Sequence, residues 1–306
     1  MNITLCIATF RRTERLAVLL EDLLRQERMP DEVVVVDNDA CGSARGVVER
    51  WRDAGTPFPV RYDIQSIQNI SLTRNRTVQL ATGAWIAFID DDERAPANWL
   101  KTLEAAAAPC NADGVLGPVL PDVPSDAPTW IRNGHFYDWA RMPTGAVVPI
   151  NKLRFGNVLL NGALLRTTPN PFDPAFGLTG GEDGDLLARL VQSGARIVWC
   201  DEAVVHEPVE ASRLSLRWLL LRALRGGQDF ARHRLNGRFG AINTLGRASL
   251  LLVALGQSAL AVMLAVLCWP GGRHRSAYWL LKASANLGKV SMLFGWHYHA
   301  YSIHIP

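Results

Sequence analysis

AWIAFIDDDE, residues 84–93, is an apolar run that ends in four adjacent carboxylates, Asp90, Asp91, Asp92 and Glu93. Like charges this close raise one another's pKa and are unfavourable unless a cation sits among them. Two readings compete. The acids form a solvated turn at a strand end, or they form a metal site at the carboxyl edge of a sheet. The sequence around them decides.

Upstream, strand-like and helix-like stretches alternate. ITLCIAT, from Ile3, is a short apolar run rich in strand formers. Leu16, Leu19, Leu20, Leu23 and Leu24 then repeat at helical spacing, with Thr13 as the expected cap. EVVVVD, ending at Asp37, reads as a strand buried on both faces. A helix is expected near residues 44–54, a strand at PVRYDI and a helix over residues 71–81, capped by Ser71. AWIAFI is then a fourth strand. The alternation predicts a doubly wound, mainly parallel α/β sheet. Ligands gather beyond the carboxyl ends of such strands. Thr9, Asp37 and Asp90 all fall there, which weakens the solvated-turn reading.

Residues 109–180 are rich in Pro, Gly and Asn and read as loops and short strands shaping a second ligand pocket. Trp130 and Trp139 lie in this part. They are candidates for stacking on sugar faces, and equally for packing in a core. GEDGDLLARLVQSG, residues 181–194, starts acidic and becomes a helix, and ARIVWC follows as a strand. Beyond about residue 212 leucines mix with arginines. Ser249 to Trp269 then carries no charge over 21 residues, and ~20 helical residues span a bilayer core. A second stretch, Ser276 to Trp296, is apolar but holds Lys282 and Lys289 on one helical face, as an interfacial helix does. Trp269, Tyr278, Trp279, Trp296, Tyr298 and Tyr301 are candidates for interface belts.

Composition fits this plan. The 306 residues, 48% hydrophobic and 20% charged, describe a folded chain long enough for one large domain and an appendage. The net charge of +3 hides an asymmetry, because the last acidic residue is Asp229 while eight Lys and Arg follow it. An acidic catalytic part and a basic tail facing an anionic surface are expected. The five cysteines are scattered and form no CxxC pair, so neither a zinc site nor a disulfide framework is expected. MNITLCIATF enters a strand pattern directly, so no secretory signal is expected.

IATFRR, VVVVDN, NISLTRNRT, FIDDDE, GGEDGDL and a late His, in that order, resemble the family 2 glycosyltransferases of GT-A fold. The branch most resembled is that of bacterial exopolysaccharide enzymes, including succinoglycan-pathway sugar transferases. The likeness covers about residues 1–210. It implies a catalytic domain there, with a nucleotide-sugar half at 1–110 and an acceptor half at 111–210. The remaining 211–306 would be a helical, membrane-associating tail.

A nucleotide-sugar donor leaves as a diphosphate, and a divalent cation can absorb the growing charge. Such a cation takes carboxylate oxygens together with phosphate and water. The resemblance implies Asp92 and Asp90 as metal ligands, with Asp90 or Asp91 near the ribose and His206 completing the site around Mn²⁺ or Mg²⁺. Inverting transfer needs a carboxylate to take the acceptor hydroxyl's proton, a role worth ~10²–10⁴-fold. By resemblance Asp183 is that base, beside Glu182. Acids in a helix's first turn are also ordinary on electrostatic grounds alone. Thr9, Phe10, Arg11, Asp37, Asn38 and Asn69 are implied at the base and ribose, and Arg74 at the diphosphate. Many relatives carry Gly near Asn69, where this chain has Ile70.

The expected partners are a UDP-sugar, probed first as UDP-glucose, a polyprenyl-diphosphate-linked oligosaccharide and the cytoplasmic face of the inner membrane. No nucleic acid is expected. The chain has no GxGxxG after the first strand, no GxxxxGK[ST] and no GxSxG, which disfavours dinucleotide oxidoreductases, P-loop NTPases and serine hydrolases. A nucleotidyltransferase would carry glycines after the first strand, where IATFRRTERL has none. A scaffold without turnover would not need the intact Asp90, Asp92, Asp183 and His206 set.

Overall fold

The computed structural model describes residues 1–299, so Tyr301 lies outside the described residues. Strands β1 (Ile3–Thr9), β2 (Glu32–Asp37), β3 (Val60–Ile64) and β4 (Trp85–Phe88) alternate with helices α1 (Thr13–Leu23), α2 (Arg45–Asp53) and α3 (Ile70–Leu80). After β4 come α4 (Trp99–Ala107), β5 (Gly114–Leu116), β6 (Val119–Asp122), α5 (Thr129–Arg132), β7 (Val158–Asn161) and α6 (Gly162–Leu165). Then follow α7 (Glu182–Gln192), β8 (Ile197–Trp199), β9 (Val205–Pro208), α8 (Leu216–Leu235), α9 (Thr244–Leu267) and α10 (Arg273–Leu293).

Seven strands form one sheet in the order β3-β2-β1-β4-β7-β5-β8. It is parallel except at β7, which runs antiparallel to both β4 and β5. The expected doubly wound, mainly parallel sheet is therefore present, with one reversed strand inside it. VLLN was not singled out as a strand, because it is short and lies in the loop-like middle.

The continuous valines of β2 serve two faces. Val33 and Val35 join Leu5, Ile7, Leu19, Trp99 and Leu103 in one core, while Val34 and Val36 join Cys6, Phe88, Leu186 and Trp199 in the other. Residues two apart share a face, so a strand covered on both sides is apolar throughout.

Two caps differ from expectation. The N-cap of α3 is Asn69, whose side chain accepts from Leu72 N, and Ser71 is buried inside the helix. The backbone at Asn69 is extended, as an N-cap residue's is. Helix α1 starts at Thr13 itself, behind an Arg12 that makes no side-chain cap bond.

The chain divides into two compact units. The first holds residues 1–120 and 139–207, hence the whole seven-stranded sheet. The second joins residues 121–138 to the chain from Pro208 on. Residues 121–138, expected with the acceptor half, thus belong with the C-terminal helices. The boundary expected at 210 falls at Glu207 and Pro208. In the second unit Ile131, Tyr137, Val209 and Leu219 form a small core. The Trp130 and Phe136 rings are tilted at 55° with centroids 5.7 Å apart, and the Arg273 guanidinium lies 4.9 Å from the Trp130 ring. Trp139, in the first unit, stays exposed with the Arg154 guanidinium 4.8 Å from its ring.

Candidate active site

The ends of β1, β2 and β4 deliver Thr9, Asp37 and the acids at 90–93 to one edge of the sheet. Thr9 Oγ1 donates to Asp91 Oδ2 at 2.8 Å. Arg12 Nη1 donates to Asp91 Oδ1 at 2.9 Å and to Asp92 Oδ2 at 3.0 Å. The cation that crowded carboxylates require is thus partly internal. Arg12 was missed in the sequence, although the doubled arginine of IATFRR was visible. Its neighbour Arg11 has a left-handed backbone, φ 53°, which costs a non-glycine residue ~1–2 kcal/mol. Ion pairs on both sides hold that turn, Arg12 as above and Arg11 Nε to Asp39 Oδ2 at 3.1 Å. The Arg11 guanidinium also lies 5.1 Å from the Phe10 ring.

Asp90 and Glu93 form a second layer. Asp90 N donates to Glu93 Oε2 at 3.0 Å. Gly156, at φ 101°, lies against them, since a Cβ there would meet Glu93 Oε1 at 2.7 Å. Burial raises the pKa of Glu93 well above its ordinary value, and Asp90 adds repulsion. Burial also raises Asp91, to about 6, against the pull of Arg12. The protein around Asp90 raises its pKa too, with Arg74 opposing and Asp92 and Asp183 repelling.

Arg74, expected at a diphosphate, is buried and bridges two carboxylates. Its Nη1 donates to Glu182 Oε1 at 2.5 Å and its Nη2 to Asp90 Oδ1 at 3.0 Å. Its guanidinium lies 4.6 Å from the Phe155 ring and 5.9 Å from the Phe172 ring. Arg74 thereby ties the acids after β4 to the first turn of α7, 108 positions away in sequence. Gly180 and Gly181, at φ 84° and 88°, make the left-handed entry into that turn. Glu182 is buried against Arg74, while Asp183 is less buried and accepts from Gly184 N at 2.8 Å. Phe155, Gly156 and Phe172 were not predicted, because nothing local in sequence marks a side chain that supports a residue so far away.

Three of the expected nucleotide contacts hold protein. Asp37 is fully buried and accepts from Asp39 N at 2.9 Å, Ala44 N at 2.7 Å and the Tyr62 hydroxyl at 3.0 Å. Asn38 Nδ2 donates to Gln65 O and Ile67 O, and its Oδ1 accepts from Asn69 N. Asn69, besides capping α3, donates to Pro174 O at 3.0 Å. These side chains shape the loops beside the acid edge.

His206 lies next to this edge in the chain's return. Its backbone exchanges hydrogen bonds with Arg94, N to O at 3.0 and 2.8 Å, and it lines a pocket with Asp22, Arg25 and Arg94. Among the described residues, no group of three or more His, Cys, Asp or Glu side chains is arranged to hold a metal ion. The donor chemistry still suits a hard divalent cation. The oxygens are carboxylates, and Asp92 repels Asp90, Asp91 and Glu93 across the edge. One or two carboxylates suffice when phosphate and water supply the other ligands.

The model of the family described as Glycosyl transferase family 2 matches residues 4–161. The chain is 35% identical over 298 residues to the succinoglycan biosynthesis protein ExoM of Rhizobium meliloti (strain 1021), covering 96% of this chain and 94% of that protein. It is 30% identical over 216 residues to the galactofuranosyltransferase GlfT1 of Mycobacterium tuberculosis (strain ATCC 25618 / H37Rv), covering 65% and 68%. Among solved structures, the mannosyltransferase PcManGT from Pyrobaculum calidifontis, in complex with GDP-Man and Mn²⁺, superposes with a TM-score of 0.64 at 18% identity, covering 96% of this chain and 87% of that one. S. aureus TarS 1–349, in complex with UDP, gives 0.55 at 18% identity over 97% and 93%. These two structures share the fold, which is of the GT-A kind.

Proposed function

The chain belongs to glycosyl transferase family 2, and from that premise we propose that it moves a hexose, glucose first, from a UDP-sugar to a polyprenyl-diphosphate-linked oligosaccharide. The reaction inverts the sugar carbon and serves exopolysaccharide assembly at the cytoplasmic face of the inner membrane. ExoM is named for succinoglycan biosynthesis, and the near full-length likeness to it supports that setting.

The observation that carries the reading is the Arg74 bridge, which holds the donor-side acid Asp90 and the base-side acid Glu182 on one guanidinium. In this mechanism the acceptor oxygen attacks the anomeric carbon, the bond from that carbon to the diphosphate breaks, and the electron pair leaves with the diphosphate. Asp183 takes the acceptor's proton. Glu182, fixed by Arg74, orients the turn that presents Asp183. Thr9 and Arg12 fix Asp91 and Asp92, while Asp39 and Arg11 border the nucleotide side. Asp92 and Asp90, with His206, would hold Mn²⁺ or Mg²⁺, which would supply positive charge against the leaving diphosphate.

Calorimetry of UDP and UDP-glucose, with and without Mn²⁺, on wild type and Asp92→Ala tests the donor site. Mn²⁺-dependent binding that disappears in the variant is expected. Binding that ignores both the metal and the substitution removes the metal assignment, and no binding of any uridine nucleotide removes the donor.

A further inference from the structure

Among the C-terminal helices α10 is the middle layer. It meets α8 backbone to backbone, because a Cβ on Gly227 would lie 1.8 Å from Ala285 O and one on Gly288 would lie 2.0 Å from Leu224 O. Ser284 Oγ donates to Leu220 O at 2.7 Å across the same contact. On its other side α10 receives α9 along a stripe of small buried residues, Ala254, Ser258, Ala261 and Ala265. Ser258 Oγ donates to Ala283 O at 3.3 Å there. Among the described residues α9 has extensive contact only with α10 and the turn that joins them.

Helix α9 has 24 residues and is long and apolar enough to cross a membrane. At about 100° per residue, the arc opposite its small stripe carries Leu245, Leu252, Leu260, Met263, Val266 and Leu267. Each of these is at least 51% exposed. Exposed arginines stand at both ends, Arg247 in the first turn and Arg273 and Arg275 beyond Trp269, which is itself 64% exposed. No acidic residue follows Asp229.

We infer that α9 lies in the plane of an anionic bilayer, with its outward arc sunk at the boundary between headgroups and acyl chains and α10 and α8 stacked behind it. This rests on the membrane setting proposed above and decides between lying and spanning. The bond from Ser258, near the middle of α9, sets Ala283 and its exposed neighbour Lys282 level with that midpoint. An upright α9 would carry Lys282 to the bilayer centre, where lysine is among the least favourable residues. It would also take along Arg222 and Arg225 of α8, which is packed beside α10. A helix lying flat leaves all three on the water side. It also places arginines at both of its ends among anionic headgroups, where surface cations are attracted, and sets Trp269 at the depth that tryptophan favours.

The test uses the full chain added to vesicles of phosphatidylcholine with or without phosphatidylglycerol. Flotation that requires phosphatidylglycerol and weakens with salt is expected, and Leu252→Glu with Met263→Glu should reduce it about tenfold or more. In a Cys41→Ser, Cys268→Ser background, nitroxides placed singly from residue 250 to 264 report depth. An in-plane helix gives a depth that oscillates every 3.6 residues and is greatest near Leu252 and Met263. One broad maximum at mid-helix means a span and overturns the inference. Protein that floats with neither vesicle and is dimeric by light scattering assigns the arc to a second copy, and also overturns it. Uridine-nucleotide binding of the same samples is read separately, so failure of the transferase reading is not confused with failure of this one.

Discussion

The two ends of the central sheet treat carboxylates in opposite ways. At the amino end Glu32 accepts from Thr4 and from Thr82, both backbone and hydroxyl, and pairs with Arg61. Asp31 accepts from Ile3 N and Arg28, and Glu104 accepts from Arg28 and the terminal amine. Although burial works against them, these partners pull all three pKa values below the ordinary range. At the carboxyl end Asp90, Asp91 and Glu93 are all raised, because burial and mutual repulsion outweigh Arg12 and Arg74. One end is completed by its own chain. The other is assembled against its own electrostatics, as a site is when its counter-charge arrives with substrate.

The contrast breaks most sharply at Asp183. Asp183→Asn is expected to lower kcat ~10²–10⁴-fold while leaving donor affinity and unfolding midpoint near wild type, measured by steady-state transfer and calorimetry. A fall in stability of similar weight would place Asp183 with the amino-end acids. Next comes Arg74, the guanidinium buried between Asp90 and Glu182. Removing one partner of a buried pair costs about 3–5 kcal/mol, so Arg74→Gln should lose about that much in denaturant unfolding, and Arg74→Lys should recover part of it.

Paired glutamates give a finer test. Glu32→Gln should cost about 1.5–3 kcal/mol, the range for hydrogen bonds to a charged group. Glu93→Gln should cost clearly less, because burial raises the Glu93 pKa well above its ordinary value and so favours the neutral form. Equal costs in urea titrations would erase the distinction between the ends.

The smallest effect is on the pH profile. Asp91 titrates at about 6 when folded against an ordinary 3.8. Its stabilising proton is fully bound below 3.8 and lost as pH rises through about 6. Glu32, ordinarily at 4.5, is lowered, so its contribution is present above that value and lost as pH falls through the folded pKa. Thermal melts of metal-free protein should therefore decline as pH rises between 3.8 and about 6. Asp91→Asn should flatten that decline, and Mn²⁺ should reverse it.

Much of this was legible in the sequence because it is local. Continuous valines announced a strand covered twice, and leucine spacing announced α1. An apolar run broken by acids located the edge. What stayed hidden depends on distant partners. Arg74 finds Glu182 only after the fold brings α3 to α7, and no local pattern marks that pairing. Ser71 and Asn69 are both plausible caps in sequence, and only the extended backbone at Asn69 separates them. VLLN is too short for its periodicity to reveal an inner strand, and the affinity of residues 121–138 for the C-terminal helices has no compositional mark.

The reversed strand β7 has a consequence for how the protein can change. β5 leaves the sheet at the carboxyl edge and β7 re-enters there, since Leu116 and Val158 are register partners. The intervening excursion therefore departs and returns at one neck. Gly117 N donates to Asn157 O at 3.0 Å, and Asn157 donates to Pro118 O and Ala203 O. A Cβ on Gly117 would meet Ala203 O at 2.3 Å, so the neck admits only glycine. Loop-closure entropy grows slowly with length, about 0.6 kcal/mol per doubling. Changes of length inside the excursion thus cost the sheet's register little, provided that the neck and Phe155 and Gly156, which reach Arg74 and Glu93, are kept.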